Sequence, residues 1–302
     1  MEEPMAYTGV PYMVLDVFTD RPFTGNPLAV VFESDNLSDS RMVQIAREFG
    51  YSETTFILRR RQAQADWRLR SFTTSMEVFG AGHNALGAWW ALASTGRLRL
   101  HASSNIFHQE LGNDILPVEI SSIGGSPTSI YMRQKKAIFG EALETLDLLA
   151  KAFGLPQRVF EVPGFRPTPV STGVRHLMVP LTDLASLRAV SINSDALAAV
   201  TKSTNCGGCY LFTRETLESA STAHARFFTP AMGDREDPAT GSAAGPLVAY
   251  FQAHEAIRGN EEVVIEQGDE VGRPGRVHVR LAGGEVLVGG HSFVVAEGNI
   301  AA

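Results

Sequence analysis

A chain of 302 residues, 44% hydrophobic and 20% charged, has the composition of a soluble globular protein with room for two cores. Its net charge of −7 without a long basic run argues against nucleic acid as the main partner, and no apolar stretch reaches bilayer-spanning length. Two cysteines make no disulfide framework, and Met1-Glu-Glu-Pro4 lacks secretory-leader character, so a reducing cytoplasm is the expected setting.

In chain order, residues 12–18 read as a strand, 19–27 as a loop and 28–32 as a second strand. Residues 36–49 read as a helix, with Ser38 as N-cap, an apolar stripe of Met42, Ile45, Ala46 and Phe49, and Gly50 as its stop. Strands are expected over 51–58, with Glu53 at the start, and over 66–72. Arg59-Arg60-Arg61 reads as a solvated strand end. A loop then reaches Gly80-Ala-Gly-His83, and 84–94 is a short, wholly apolar helix. Strand-like segments run on to Ile123. The breaker cluster Gly124-Gly-Ser-Pro127 predicts a boundary, giving domains at 1–126 and 127–290, with a last strand near 291–298 packing back onto the first. Beyond it lie a helix over 141–153, an irregular proline-rich connection over 163–169, and a second strand–helix–strand run from Val170.

The most informative stretch is 228–251. Its first half is polar and turn-forming, with Asp237-Pro238 setting an extended entry. From Ser242 it is small, apolar and uncharged, which suits a helix buried on every side. Between them, Ala239-Thr240-Gly241-Ser242 lets a ligand approach backbone, and the free N–H groups of a helix start favour a carboxylate there. The arrangement occurs twice. At a constant offset of 156, Phe72 pairs with Phe228, Phe56 with Phe212, Met76 with Met232, Ala88 with Ala244, Glu110 with Glu266 and Gly112 with Gly268. The chain therefore reads as two copies of one mixed α/β domain, each a curved sheet around a central apolar helix. If the copies face each other, both helix starts point into one cleft, the usual place for a small-molecule site.

Glu53, His83 and Asp237 lie at these turns. A carboxylate shielded by Tyr51 and Phe56 can exchange protons with carbon, and a histidine at a helix start can donate or relay one. Each alone reads more readily as structural; together on repeated turns they suggest a site.

Several segments resemble the PhzF family, the phenazine-biosynthesis-like isomerases and epimerases. They are Leu15-Asp-Val-Phe-Thr-Asp-Arg-Pro-Phe-Thr-Gly-Asn-Pro-Leu-Ala-Val-Val31, Ile45-Ala-Arg-Glu48, Ser52-Glu-Thr-Thr-Phe56, Gly82-His83, Arg175-His176, Glu236-Asp-Pro-Ala-Thr-Gly-Ser-Ala-Ala-Gly-Pro246 and Glu266-Gln-Gly-Asp-Glu-Val-Gly-Arg-Pro274. The resemblance implies a diaminopimelate epimerase-like fold with the active site between two similar domains. It implies Glu53 as general acid/base, His83 and Asp237 as residues that bind substrate and move protons, and Gly82, Thr240, Gly241 and Ser242 as pocket lining. It further implies an isomerase of the trans-2,3-dihydro-3-hydroxyanthranilate type, without cofactor or metal, and a homodimer. The chain departs from the family at Val78-Phe79, Asn84 and Trp89-Trp90, changes expected to ring the pocket and to bear on substrate identity.

Racemases of this fold use two opposed thiols at the glycine-rich turns. Here neither turn has cysteine; the only two form Cys206-Gly-Gly-Cys209 before a strand and read as structural. His176 and His291 lie in or near strands, with no metal-site spacing. The expected function is a cofactor-independent isomerase moving a proton on a small carboxylate; the alternatives are a non-catalytic binding module or an amino-acid epimerase.

Overall fold

The computed structural model describes residues 9–80, 82–233, 236–257 and 262–301. Met1-Glu-Glu-Pro4 and Ala81 of the first glycine-rich turn lie outside them. In chain order the elements are β1 (Gly9–Val17), β2 (Asn26–Val31), α1 (Asp39–Phe49), β3 (Thr54–Leu58), β4 (Trp67–Phe72), β5 (Glu77–Val78), α2 (His83–Ser94), β6 (Ser104–Leu111), β7 (Asp114–Ile123) and β8 (Ser126–Arg133). Then come β9 (Ile138–Phe139), α3 (Asp147–Phe153), β10 (Thr168–Ser171), β11 (Arg175–Pro180), α4 (Leu184–Arg188) and α5 (Ser194–Thr204). The last are β12 (Cys209–Thr213), β13 (Ala223–Phe228), α6 (Gly241–Ala253), β14 (Glu262–Gln267), β15 (Gly275–Ala282), β16 (Glu285–Gly290) and β17 (Ser292–Ala301).

Two compact units result. Among the described residues, unit 1 holds 9–23, 27–132 and 291–301, and unit 2 holds 24–26 and 133–290. The boundary expected at Gly124–Pro127 is displaced to Met132/Arg133. Gly124 and Gly125, both at positive φ, are the turn of the antiparallel β7–β8 hairpin, where breaker residues tighten a turn without ending a domain. β17 runs antiparallel to β1 within unit 1.

The units repeat one pairing scheme. In unit 1, β2–β3 is parallel, β3–β4 antiparallel, β4–β6 parallel, and β6–β7 and β7–β8 antiparallel. In unit 2, β11–β12, β12–β13, β13–β14, β14–β15 and β15–β16 follow in the same order of sense. The offset of 156 carries β4 onto β13 residue for residue. Side-chain roles carry over too. Glu110 accepts the backbone N–H groups of Arg61 and Gln62, while Glu266 accepts those of Leu217 and Glu218, the positions 156 further on. Arg70 and Arg226 each form a forked pair, with Glu77 and Glu236, and each guanidinium lies 5.0 Å from a phenylalanine ring, Phe72 and Phe228.

In each unit the sheet packs on the predicted apolar helix. Every residue of α2 from His83 to Ala93 is buried, and α2 packs on β1, β3, β4 and β17. α6 is buried at Gly241 and from Ala243 to Phe251, against β10, β11, β15 and β16. A helix apolar on all sides suits such a seat. Trp89 and Trp90 serve this core: Trp89 is fully buried, donates from Nε1 to Gln109 Oε1 at 2.9 Å and stacks on Phe107. Trp90 packs against His291. The expectation that this pair rings a pocket is thus replaced by a packing role.

α1, packed on β3 and β4, has the expected cap, Ser38 accepting the Arg41 N–H, and ends at Gly50 in the left-handed region. The helix expected over 141–153 starts only at Asp147. The N–H groups of Gly140 and Leu143 go to the carbonyls of Pro169 and Pro167, so this stretch is tied to the proline-rich connection and the helix begins after it. Among the described residues no helix is long and apolar enough to cross a membrane.

Candidate active site

In unit 1, Glu53 immediately precedes β3 and His83 opens α2. Parallel pairing of β3 with β2 fixes the strand, and the burial of α2 fixes the histidine, which is itself buried. His83 Nε2 lies 3.2 Å from Glu53 Oε2 and 3.5 Å from Ser52 Oγ. The Oε2 atom is out of solvent contact, yet the ring is not aligned to form a hydrogen bond with it, so the contact is one of proximity. The rest of the Glu53 side chain is partly open, at 25% exposure. A carboxylate without an aligned donor among the described residues can take one from a ligand.

Asn84, not proposed as a site residue, holds this corner together. Its Oδ1 accepts the Gly82 N–H at 2.7 Å, and its Nδ2 donates to Gly80 O at 2.8 Å and to Ser71 Oγ at 2.9 Å. Thr55 Oγ1 joins the network through Ser71 at 2.9 Å. Asn84 therefore braces the turn that presents His83. Arg70, forked onto Glu77 and bonded to Asp39, anchors the strand leading into that turn.

In unit 2, Asp237 is buried and its carboxylate is occupied. Oδ1 accepts Asn26 Nδ2 at 2.7 Å, and Oδ2 accepts the Thr240 hydroxyl. Gln267 completes the frame: its Nε2 donates to Asp237 O at 2.6 Å and Thr240 Oγ1 at 2.9 Å, and its Oε1 accepts Thr240 N–H at 3.0 Å and Tyr210 OH at 2.9 Å. Burial, with the Asp237 charge second, pushes the Tyr210 phenol far up, so it remains a donor. Asn26 is delivered by its own anchors. Arg273 Nε and Nη2 donate to Gly25 O and Thr24 O at 2.9 and 3.0 Å, and Gly25 N–H donates to Pro274 O at 3.0 Å. Gly268, at φ +92°, passes so close that a Cβ would lie 2.4 Å from both Pro238 O and Arg273 O. This is one of the few places where only glycine fits.

Because Thr240 spends its hydroxyl on Asp237, it does not cap α6. Thr240 O accepts from Ala243 and Ala244, and among the described residues the Gly241 and Ser242 N–H groups make no hydrogen bond. Unbonded amides at a helix start are the kind of group that can hold an anion. Gly241 is not among the glycines at positive φ, so its smallness matters for access and not for backbone conformation. Ser242 Oγ lies 3.2 Å from His176 Nε2 on β11.

All the expected site residues thus fall into two clusters: Glu53, Gly82 and His83 in unit 1, and Asp237, Thr240, Gly241 and Ser242 in unit 2. Cys206 and Cys209 are both buried free thiols, pushed up by that burial, and neither belongs to a glycine-rich turn. Sequence reasoning gave no role to Asn26, Gln267 or Arg273, although all three lie in segments already singled out, and it placed Asn84 only among the changes expected to ring the pocket.

A family model described as phenazine biosynthesis-like protein matches residues 15–298. The chain is 36% identical over 295 residues to the trans-2,3-dihydro-3-hydroxyanthranilate isomerase of Pseudomonas aeruginosa, covering 95% of this chain and 98% of the relative. It is 32% identical to an uncharacterized isomerase of Clostridium acetobutylicum, covering 95% and 96%. Among solved structures, a PhzF-family phenazine biosynthesis protein of Bacillus anthracis superposes with TM-score 0.86 at 28% identity, covering 97% of this chain and 99% of the other. A hydroxyproline epimerase of Agrobacterium vitis shares the fold at TM-score 0.65 and 10% identity, covering 97% and 92%.

Proposed function

Starting from the chain's membership of the PhzF family of phenazine biosynthesis-like isomerases, we propose that it moves a proton between carbons of a small, unsaturated or cyclic carboxylate, with Glu53 as the general acid/base. The observation carrying this reading is the Glu53 carboxylate itself: one oxygen buried, no aligned donor, and His83 at 3.2 Å. A carboxylate so placed can take a proton from an sp3 carbon while the C–H electron pair moves into the adjacent unsaturated system. The same group then returns the proton to a second carbon, so substrate and product have the same formula. His83, close to the carboxylate but not bonded to it, offers a second proton-handling group at the helix start. No redox change or carbon–heteroatom cleavage is involved, and the reading assigns the reaction to these side chains without a cofactor.

In unit 2, the free amides of Gly241 and Ser242 are assigned to holding the substrate's carboxylate. Asp237 is assigned to positioning, since both its oxygens already serve Asn26 and Thr240. The substrate of the P. aeruginosa relative, trans-2,3-dihydro-3-hydroxyanthranilate, carries the required carboxylate and is the first compound to test. Incubation with it in deuterated water, followed by NMR, should show a product isomeric with it; an unchanged spectrum would reject this substrate. A panel of other unsaturated carboxylates then tests the class. The epimerase alternative is disfavoured because no thiol flanks either turn, and the two present are buried.

A further inference from the structure

The chemistry so far uses only one of the two histidines packed beside helix starts. His176 sits in β11, 4% exposed, with its ring edge against Phe227 at a centroid distance of 4.9 Å. Its Nε2 faces Ser242 Oγ at 3.2 Å, and its Nδ1 is buried with no partner among the described residues. Burial holds the ring down at about 4, so it is neutral at physiological pH and carries one N–H.

Bonding selects the tautomer. A proton on Nδ1 would be a buried donor without an acceptor, the rarer and more costly kind of orphan. A proton on Nε2 is satisfied by Ser242 Oγ and leaves only a lone pair unpaired. Nε2–H therefore donates to Ser242. A serine oxygen that accepts this bond keeps its own O–H for another acceptor. That hydroxyl stands beside the free amides of Gly241 and Ser242.

We propose that His176 is a positioning residue that turns the Ser242 hydroxyl into a third hydrogen-bond donor for the carboxylate held at the start of α6. The inference rests on the reading of that helix start as the carboxylate-binding element. It also yields a specificity: a planar carboxylate with two acceptor oxygens uses three donors, whereas a carboxamide presents an NH2 to one of them and is rejected.

The experiment uses anthranilate, the aromatic acid related to the relative's substrate, and its neutral analogue anthranilamide as calorimetric probes of the full-length protein. The parent should bind anthranilate more tightly. Ser242→Ala should weaken anthranilate roughly 10- to 100-fold, the range for a lost hydrogen bond to a charged group, and change anthranilamide little. His176→Leu, which keeps the site apolar, should weaken anthranilate in the same sense and add nothing to Ser242→Ala. His176→Gln, which can place an N–H near the Nε2 position, should recover binding to within about 3-fold. A merely structural histidine would shift melting temperature without moving the anthranilate-to-anthranilamide ratio. Long-range 15N–1H spectra of 15N-histidine-labelled protein should show the Nε2–H tautomer at pH 7, with the His176 signals identified by their loss in the Gln variant. An Nδ1–H tautomer, or an unchanged ratio in His176→Leu beside a changed one in Ser242→Ala, overturns the inference and leaves the carboxylate reading intact. A parent that does not prefer anthranilate overturns that reading and the inference with it.

Discussion

Glu266→Gln should destabilise unit 2 by about 3–4 kcal/mol at pH 7. The carboxylate is fully buried and accepts three donors: Oε2 takes the Leu217 N–H at 2.9 Å and His224 Nδ1 at 2.8 Å, and Oε1 takes the Glu218 N–H at 2.7 Å. Glutamine has one acceptor oxygen, so its NH2 must face at least one of these donors, at a cost of about 1–3 kcal/mol. The second contribution comes through His224. Burial opposes a charge on that ring, but its bonds to Glu266 and to Glu270 at 3.1 Å overcome the penalty and hold it at about 9. A rise from 6.5 to about 9 is worth roughly 3 kcal/mol, shared by the whole triad and not to be counted again for Glu266, which is held at about 2 against its own burial chiefly by the same bond. With its folded value raised, His224 stabilises fully below pH 6.5, and that stability is lost as pH rises through 9. The parent should therefore weaken between pH 7 and 10, and the variant should show a flatter profile. The three tryptophans all lie in unit 1, so the assay is amide hydrogen exchange at Leu217 and Glu218 across this pH range, supported by circular dichroism in urea. A variant within 1 kcal/mol of the parent, or with an unchanged pH slope, would refute the reasoning.

Three further outcomes follow from the same geometry. Asn84→Ala removes the three side-chain bonds that tie Gly80, Gly82 and Ser71 together. It should lower turnover at least 10-fold with a stability loss of only about 1–3 kcal/mol, checked by kinetics and melting on one preparation. Asp237→Asn puts an NH2 against the Asn26 or Thr240 donor, so it should lower melting temperature and weaken anthranilate together. A stable, tightly binding variant lacking turnover would instead make Asp237 a proton-transfer group. Gly268→Ala forces a Cβ against two carbonyl oxygens at positive φ and should cost more than about 3 kcal/mol, read as loss of cooperative folding of unit 2 in urea.

What the sequence shows readily is whatever is local or periodic. The apolar runs of α2 and α6, the Ser38 cap and the Gly50 stop all announce themselves within a few residues. The offset of 156 was equally legible, and it placed Glu110 opposite Glu266 before their shared task of holding a loop was visible. Long-range polar contacts leave no such trace. Asn26 reaches Asp237 across 211 positions, and His176 reaches Ser242 across 66, with no pattern linking either pair. Glycine clusters are ambiguous in the other direction: Gly124-Gly125 has the composition of a linker, yet it turns a hairpin. Residues 141–146 have helix-compatible composition, but the N–H groups of Gly140 and Leu143 tie this stretch to prolines 20 or more positions away. Tryptophans next to a site motif read as pocket lining until Gln109 and Phe107 are seen to enclose Trp89.

The central claim is that Glu53 carries the proton. The most direct measurement compares Glu53→Gln with the parent on trans-2,3-dihydro-3-hydroxyanthranilate, or on whichever carboxylate of the panel turns over. Product formation is followed by NMR in deuterated water, with anthranilate affinity measured on the same preparations. The substitution is nearly isosteric, so folding and binding should persist, while turnover should fall by at least the roughly 10²–10⁴ that general acid–base catalysis contributes. A folded Glu53→Gln protein that converts substrate at the parent's rate would contradict the account.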